Sequence, residues 1–293
     1  MRFWPVCAVA LIAAVAASAS AQPSAGPAGL EALLARIGAR VEQFYARART
    51  VTSRENVRFQ QLESDFRPVG FARRLVYELR LAWDPDADGS SPIEAKVLRQ
   101  LVTVNGRPPR PKDEPECTDP EGVSSDALSM LLAQKRDVYE FTAAGPVRLD
   151  NRAALAIDFR NVSKETPEVI WTEECVRVSV PGRTRGRIWI DAETFDVLRL
   201  DEHLTGMFDF PTSERIARRQ GVFRMALERY DSSIRYHEVA FDDPRETLTL
   251  PRRVETIAVW SGNGTRRNLI TQEYSDYRRF VTGGRVVPAD AIR

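Results

Sequence analysis

Between residues 30 and 48, the apolar side chains Leu30, Leu33, Leu34, Ile37, Val41, Phe44 and Ala48 recur at intervals of three and four, and Glu31, Arg36, Arg40, Glu42 and Arg47 fill the positions between them. That period predicts one amphipathic helix with a single buried stripe. Beyond it the period drops to two. In FARRLVYELRLAW, Phe71, Leu75, Tyr77, Leu79, Leu81 and Trp83 fall on one face and Arg74, Glu78 and Arg80 on the other. Such alternation predicts a strand in a sheet that is dry on one side and wet on the other. The same signature returns in Leu155, Ile157 and Phe159 against Asp158 and Arg160, in Val176, Val178 and Val180 against Arg177 and Ser179, and in Ile188 and Ile190 against Arg187 and Asp191. Further strand-like runs lie at 57–62, 96–104, 198–204, 234–241, 253–260 and 268–277. Turn signals such as Asn105-Gly106, Pro181-Gly182, Asp243-Pro244 and Gly262-Asn263-Gly264 separate them. A second, short helix is predicted over 125–136, with Leu128, Leu131 and Leu132 on one face.

About ten strands after one helix predict a mainly β chain of the α+β class. Each strand has one dry face, so the sheet needs a cover. A sheet that curls around the N-terminal helix makes a half-barrel, a curved antiparallel sheet with that helix packed on its concave face. No internal repeat or sharp change of composition divides the chain, and 22–293 is expected to be a single domain. Within it, 107–122 is a Pro- and acid-rich loop and 211–221, PTSERIARRQG, an Arg-rich insertion.

The first residues change the picture. Arg2, the apolar run from 6 to 17 and the small-residue site Ala19-Ser20-Ala21 predict a secretory signal peptide over 1–21, with a mature N-terminus at Gln22 and a periplasmic or secreted protein. No later run approaches the roughly 20 apolar residues of a spanning helix, so the chain is not expected to span a membrane. Cys7 lies in the leader; Cys117 and Cys175 remain, and an oxidising compartment favours pairing them. A catalytic thiol is the competing reading, and neither cysteine has a histidine within ten residues. With 42 Lys+Arg against 41 Asp+Glu there is no global field to recruit nucleic acid.

Candidate chemistry is sparse, and no cofactor or metal site is expected. His203 and His237 are the two histidines; RYHEVAF has Phe241 where a zinc-binding helix needs its second histidine, and it alternates like a strand. No nucleophile elbow, P-loop or dinucleotide fingerprint occurs. Asp191 in GRIWIDAETFDVLRLD reads as a turn initiator whose carboxylate caps N–H groups two residues on. Trp189 is expected to stack with Arg187. A catalytic Asp191 or Glu193 would need a partner that the sequence does not announce. Arg215, Arg218 and Arg219 read as a solvated turn of helix.

The layout of leader, amphipathic helix and long antiparallel meander, with the hairpin carrying Trp189-Ile190-Asp191 before its turn and 197–199 after it, resembles the periplasmic lipoprotein-carrier superfamily of the LolA and LolB type, whose half-barrel is shared by RseB-like regulators. The resemblance covers most of the chain in layout and about a dozen residues in motif. It implies a non-enzymatic binding protein that holds an acyl chain, a lipid or a lipoprotein in an apolar lumen. On this reading the lumen lies between the helix and strands carrying Tyr77, Leu79, Leu81, Trp83, Ile157, Phe159, Ile188 and Ile190. The alternative is a cell-envelope structural or protein-interaction module whose concave face is filled by its own side chains.

Overall fold

The computed structural model describes residues 27–48, 51–83, 95–113, 125–172 and 175–279, and the side chains of Leu81 and Trp83 lie outside the description. The expected leader, Cys117 and most of the loop 107–122 also lie outside the described residues. The helix α1 (Pro27–Arg47) opens on proline, whose missing N–H costs nothing in a first turn, and carries Arg47 in its last turn, where a cation faces the negative end of the helix dipole. Of the expected stripe Leu34, Ile37, Val41 and Ala48 are buried and Leu30, Leu33 and Phe44 are partly buried against the same core, and Tyr45, outside that stripe, is buried with them.

The strands are β1 (Val51–Leu62), β2 (Pro68–Trp83), β3 (Ala95–Val104), β4 (Tyr139–Leu149), β5 (Arg152–Asn161), β6 (Glu168–Thr172), β7 (Cys175–Ser179), β8 (Thr184–Asp191), β9 (Val197–Leu204), β10 (Phe208–Pro211), β11 (Arg224–Asp242), β12 (Arg245–Gly262) and β13 (Gly264–Arg279). A short helix, α2 (Glu214–Gln220), lies between β10 and β11. One antiparallel sheet runs β3-β2-β1-β13-β12-β11-β9-β8-β5-β4, with β10 added beside β11. Its end strands β3 and β4 do not pair with each other, so the sheet stays open as a curved half-barrel. The run Val176 to Val180 does not join it. β7 instead pairs with β6 in a two-stranded ribbon.

Register explains how one face becomes the core. Val104, Leu75, Val57, Gln272, Val254, Ile234, Leu200, Ile188, Ile157 and Ala143 stand directly opposite one another in ten successive strands. All but Ala143, on the edge strand, are buried. All of these side chains except Gln272 and Ala143 belong to one apolar cluster with the stripe of α1, which places the helix on the concave face. Each large apolar side chain buried there contributes on the order of 1.5–3 kcal/mol.

Three departures from the sequence pattern have local causes. Phe71, expected on the dry face, is fully exposed. Between the pairs Phe59↔Arg73 and Gln61↔Val69, β1 advances two residues and β2 four, with Gly70 at a φ of 68°, so Phe71 sits on a bulge. β4 contains Gly145-Pro146, which reads as a break; it forms because an edge strand tolerates a proline with no N–H to give. The helix expected over 125–136 is two 3-10 segments, Ser125–Leu131 and Ala133–Val138, joined at an extended Leu132 with φ −74° and ψ 144°. That break lets Leu128, Met130, Leu131 and Leu132 all face the core, which a single α-helical stripe does not allow.

Candidate functional site

The β8–β9 hairpin is a wall, and it also anchors the helix. Asp191 Oδ1 accepts the N–H groups of Glu193 and Thr194, both at 2.9 Å, so the side chain initiates the turn as its sequence suggests. Its Oδ2 accepts from Arg152, Nε at 3.0 Å and Nη2 at 2.6 Å. Burial opposes ionisation of this carboxyl, yet the two backbone donors and Arg152 outweigh it and hold the group below the usual carboxylate range. Beyond the turn, Asp196 binds Arg40 of α1 in a two-pronged pair at 2.6 and 3.0 Å, and the Arg36 guanidinium lies 5.4 Å from the Phe195 ring centre. Trp189 carries a cation on its ring, but the cation is Arg199 at 4.8 Å and not Arg187. Arg199 is the cross-strand partner of Trp189, whereas Arg187 is drawn to Asp158, its own partner in β5, at 2.5 and 2.9 Å.

The residues expected to line a lumen converge. Tyr77, Leu79, Ile157, Phe159, Ile188 and Ile190 belong to one cluster with Leu34, Ile37, Val41, Leu131 and Leu132, and each is at most 5% exposed. The expected placement of the Leu81 and Trp83 side chains lies outside the described residues.

Within this apolar face sits a polar group that the pattern reading did not single out. Glu55 is 0% exposed. Its Oε2 accepts from Arg99 Nε at 2.8 Å, and its Oε1 accepts from Gln272 Nε2 at 2.8 Å and from the Tyr274 hydroxyl at 3.1 Å. The Arg99 guanidinium stacks 3.7 Å from the Tyr77 ring centre. A buried carboxylate persists only when its lone pairs are met in this way. The signal is present in the sequence: the strand begins at Val51, and Glu55 shares the parity of Val57, which puts a charge on the dry face. Nearby, burial raises the Tyr277 hydroxyl far above its usual range, with Tyr236 and Glu55 adding to the effect, and it donates to the Pro251 carbonyl.

Among the described residues no set of three or more His, Cys, Asp and Glu side chains could hold a metal. His203 Nδ1 lies 2.8 Å from Asp231 on the surface. Burial, aided by Arg252 and opposed by a backbone bond to Leu250, lowers the His237 pKa and keeps that ring neutral near pH 7. α2 is capped by the Ser213 side chain and closed by Gly221 at a φ of 68°, and its Arg218 pairs with Glu214 one turn away, as a solvated helix should.

No family model matches the chain, and no curated protein matches it. Solved structures that resemble it include a DUF1329 family protein from Desulfovibrio piger, 10% identical, covering 89% of this chain and 95% of that one with a TM-score of 0.40. A domain from Vibrio parahaemolyticus named for outer membrane lipoprotein sorting is 10% identical over 84% of this chain and 93% of its own, with a TM-score of 0.39. A LolA superfamily protein from Nitrosomonas europaea is 9% identical over 89% and 95%, with a TM-score of 0.33. All three resemblances are remote and at low identity.

Proposed function

We propose that the chain is a non-catalytic binding module of the cell envelope that takes a hydrophobic or acylated ligand onto its concave face, where α1 now lies. What supports this reading most is how that face is built. Buried side chains from nine neighbouring strands form one continuous row, and the cover over it is one amphipathic helix and a pair of 3-10 segments. A ligand that displaces the stripe of α1 would meet Tyr77, Leu79, Ile157, Phe159, Ile188 and Ile190. Acyl burial supplies roughly 0.8 kcal/mol per CH₂, so affinity needs no catalytic group. No helix among the described residues is long and apolar enough to cross a membrane. Residues 1–21 as a leader, 22–293 as one domain and a Cys117–Cys175 bridge belong to the same proposal, which places the chain in the periplasm or outside the cell.

A second reading rests on a specific observation. The six described lumen side chains are at most 5% exposed, which favours a face filled by the protein itself and an envelope structural or protein-interaction role. One experiment separates the two. An environment-sensitive acyl probe is titrated into the wild type and Leu79→Trp, with circular dichroism as the fold control. Micromolar binding that weakens in folded Leu79→Trp supports the carrier reading. Absence of binding to the wild type leaves the interaction module in its place.

A further inference from the structure

A second surface lies on the opposite side of the sheet and is independent of the concave-face reading. One residue out of step with the buried row, Asn56, Glu273, Arg253, Arg235, Arg199 and Trp189 form the neighbouring row on the other face, each directly opposite the next in six successive strands. Three arginines therefore stand side by side in β12, β11 and β9. Like charges at directly opposed positions, with Cβ atoms about 5 Å apart, repel and destabilise a sheet unless something neutralises them. The outer two are neutralised: Arg253 binds Glu255 at 2.9 Å and Glu273 at 2.8 Å, and Arg199 binds Asp201 through two contacts of 2.7 Å. Arg235, between them, forms no ion pair with any described residue and is exposed. A register shift in β12 between the pairs Arg235↔Arg253 and Tyr236↔Pro251 turns out one extra cation beside it, Arg252, likewise exposed and without a carboxylate partner among the described residues.

Arg152, Arg199, Arg235, Arg252 and Arg253 all line one groove of about 630 Å³, against Asp150, Glu238 and Glu273. Arg152 already holds Asp191 and Glu238, and Arg253 holds Glu273, so the uncompensated charge of the groove is concentrated at Arg235 and Arg252. The rest of the lining includes Leu149, Leu198 and Tyr236, so the floor has apolar patches between the cations. The groove runs from β1 to the β4–β5 turn and is several times larger than a single small anion.

We propose that this groove is a docking surface for an acidic peptide segment of a partner protein, with carboxylates of the segment received by Arg235 and Arg252. Guanidinium groups favour carboxylates because two parallel N–H donors match the two oxygens. Complementary charge at an open groove gives a salt-sensitive, rapidly formed complex. Six further charged residues, Asp150, Arg152, Arg199, Glu238, Arg253 and Glu273, line the groove around the two arginines, so a segment must match the spacing of charges as well as their sign.

The test uses the full mature chain and a fluorescein-labelled decapeptide of alternating Glu and Gly, followed by anisotropy at low and at physiological salt. The same peptide with Gln in place of Glu is the neutral control. The expected result is saturable binding of the Glu peptide alone, weakened by salt. Arg235→Gln combined with Arg252→Gln should lower the affinity at least tenfold, and Arg245→Gln, an exposed arginine at the far end of the β11–β12 pair, should change it less than twofold. Equal binding of the Glu and Gln peptides, or equal losses in the Arg245 and groove variants, overturns the proposal. Displacement of the labelled peptide by inorganic phosphate at the concentrations where unlabelled peptide works overturns it in favour of a small-anion site. Unchanged acyl-probe binding in the groove variants keeps the outcome separate from that of the concave face.

Discussion

Arg40 of α1 and Asp196 of the β8–β9 turn, 156 residues apart in sequence, meet through two hydrogen bonds of 2.6 and 3.0 Å, and the pair fastens the edge of the helix to the hairpin below it. The aspartate is largely buried and the arginine about one-third exposed, so solvent screens the interaction in part. The pair is a rim contact that sets where the helix sits. The buried side chains of Leu34, Ile37, Val41 and Tyr45 supply most of the binding of helix to sheet.

The two faces of α1 should therefore respond very differently to charge. Ile37 is 0% exposed, and Ile37→Asp places an unpaired carboxylate in the core at a cost of several kcal/mol, a large share of a typical domain's stability. Arg36 is exposed, with its guanidinium over the Phe195 ring, so Arg36→Asp should cost less than about 1 kcal/mol. Urea titrations of the two variants check this, and equal shifts in midpoint would mean that the stripe is not what docks the helix.

Glu55 makes a sharper case, because its removal takes one shared acceptor group from three donors. Glu55→Ala should destabilise the protein by about 3–5 kcal/mol, since Arg99 loses its carboxylate inside the apolar face. Glu55→Gln keeps the shape but turns one acceptor into a donor, and should fall between the wild type and the alanine variant. The double change Glu55→Leu with Arg99→Met removes both charges, and its expected stability lies well above that of Glu55→Ala. Denaturant midpoints measured on all three decide whether the cluster acts as an ion pair or as independent contacts.

Asp191 predicts a pH dependence with a definite sign. Its folded-state pKa lies below its unfolded one, so its contribution to stability is fully present above the unfolded value of about 4 and is lost as the pH falls through the lower folded value. The difference in unfolding free energy between the wild type and Asp191→Asn should be constant near neutrality and should shrink steadily below pH about 4. A difference that grows in acid would contradict the hydrogen-bond pattern seen at the turn.

Much of this architecture is written in side-chain alternation and is readable without coordinates: the helix stripe, the two-faced strands and the turn role of Asp191 all follow from spacing. What was not readable depends on which strand lies beside which. Arg199 and Trp189 meet because they are paired across β8 and β9, while the sequence alone offered Arg187 two residues away. Phe71 leaves the dry face because β2 carries two more residues than β1 at that point, a mismatch that appears only when the strands are aligned. β4 hides behind its Gly145-Pro146 step, which only an edge position tolerates. Glu55 is the opposite case: its parity was visible, and its three partners come from β3 and β13, far along the chain.

The proposed bridge between Cys117 and Cys175 is open to direct titration. Denatured, unreduced protein purified from its own envelope should show no free thiol, with an N-terminus at Gln22. A loop of about 59 residues closed by the bridge gives roughly 4 kcal/mol in the chain-entropy model, so reduction should lower the denaturation midpoint clearly. Two thiols per chain, or an unchanged midpoint on reduction, would remove the bridge from the proposal.

If α1 is a cover that a hydrophobic ligand displaces, the Arg40–Asp196 pair sets part of the cost of opening, and weakening it should improve binding. The apparent affinity of such a site is the intrinsic affinity multiplied by the fraction of molecules in which the helix is out of the way. Arg40→Gln should lower the stability of the docked helix by about 1 kcal/mol, which is about a fivefold rise in the open fraction while that fraction is small. The acyl probe should then bind roughly fivefold more tightly to Arg40→Gln than to the wild type, although the variant makes no new contact with the probe. A control at the same helix, Glu42→Gln, changes an exposed charge away from the hairpin and should leave the affinity alone. The filled-core reading expects something different: loosening the rim contact lowers stability and creates no binding. Tighter binding with lower stability in one variant is an outcome that only a displaceable helix produces.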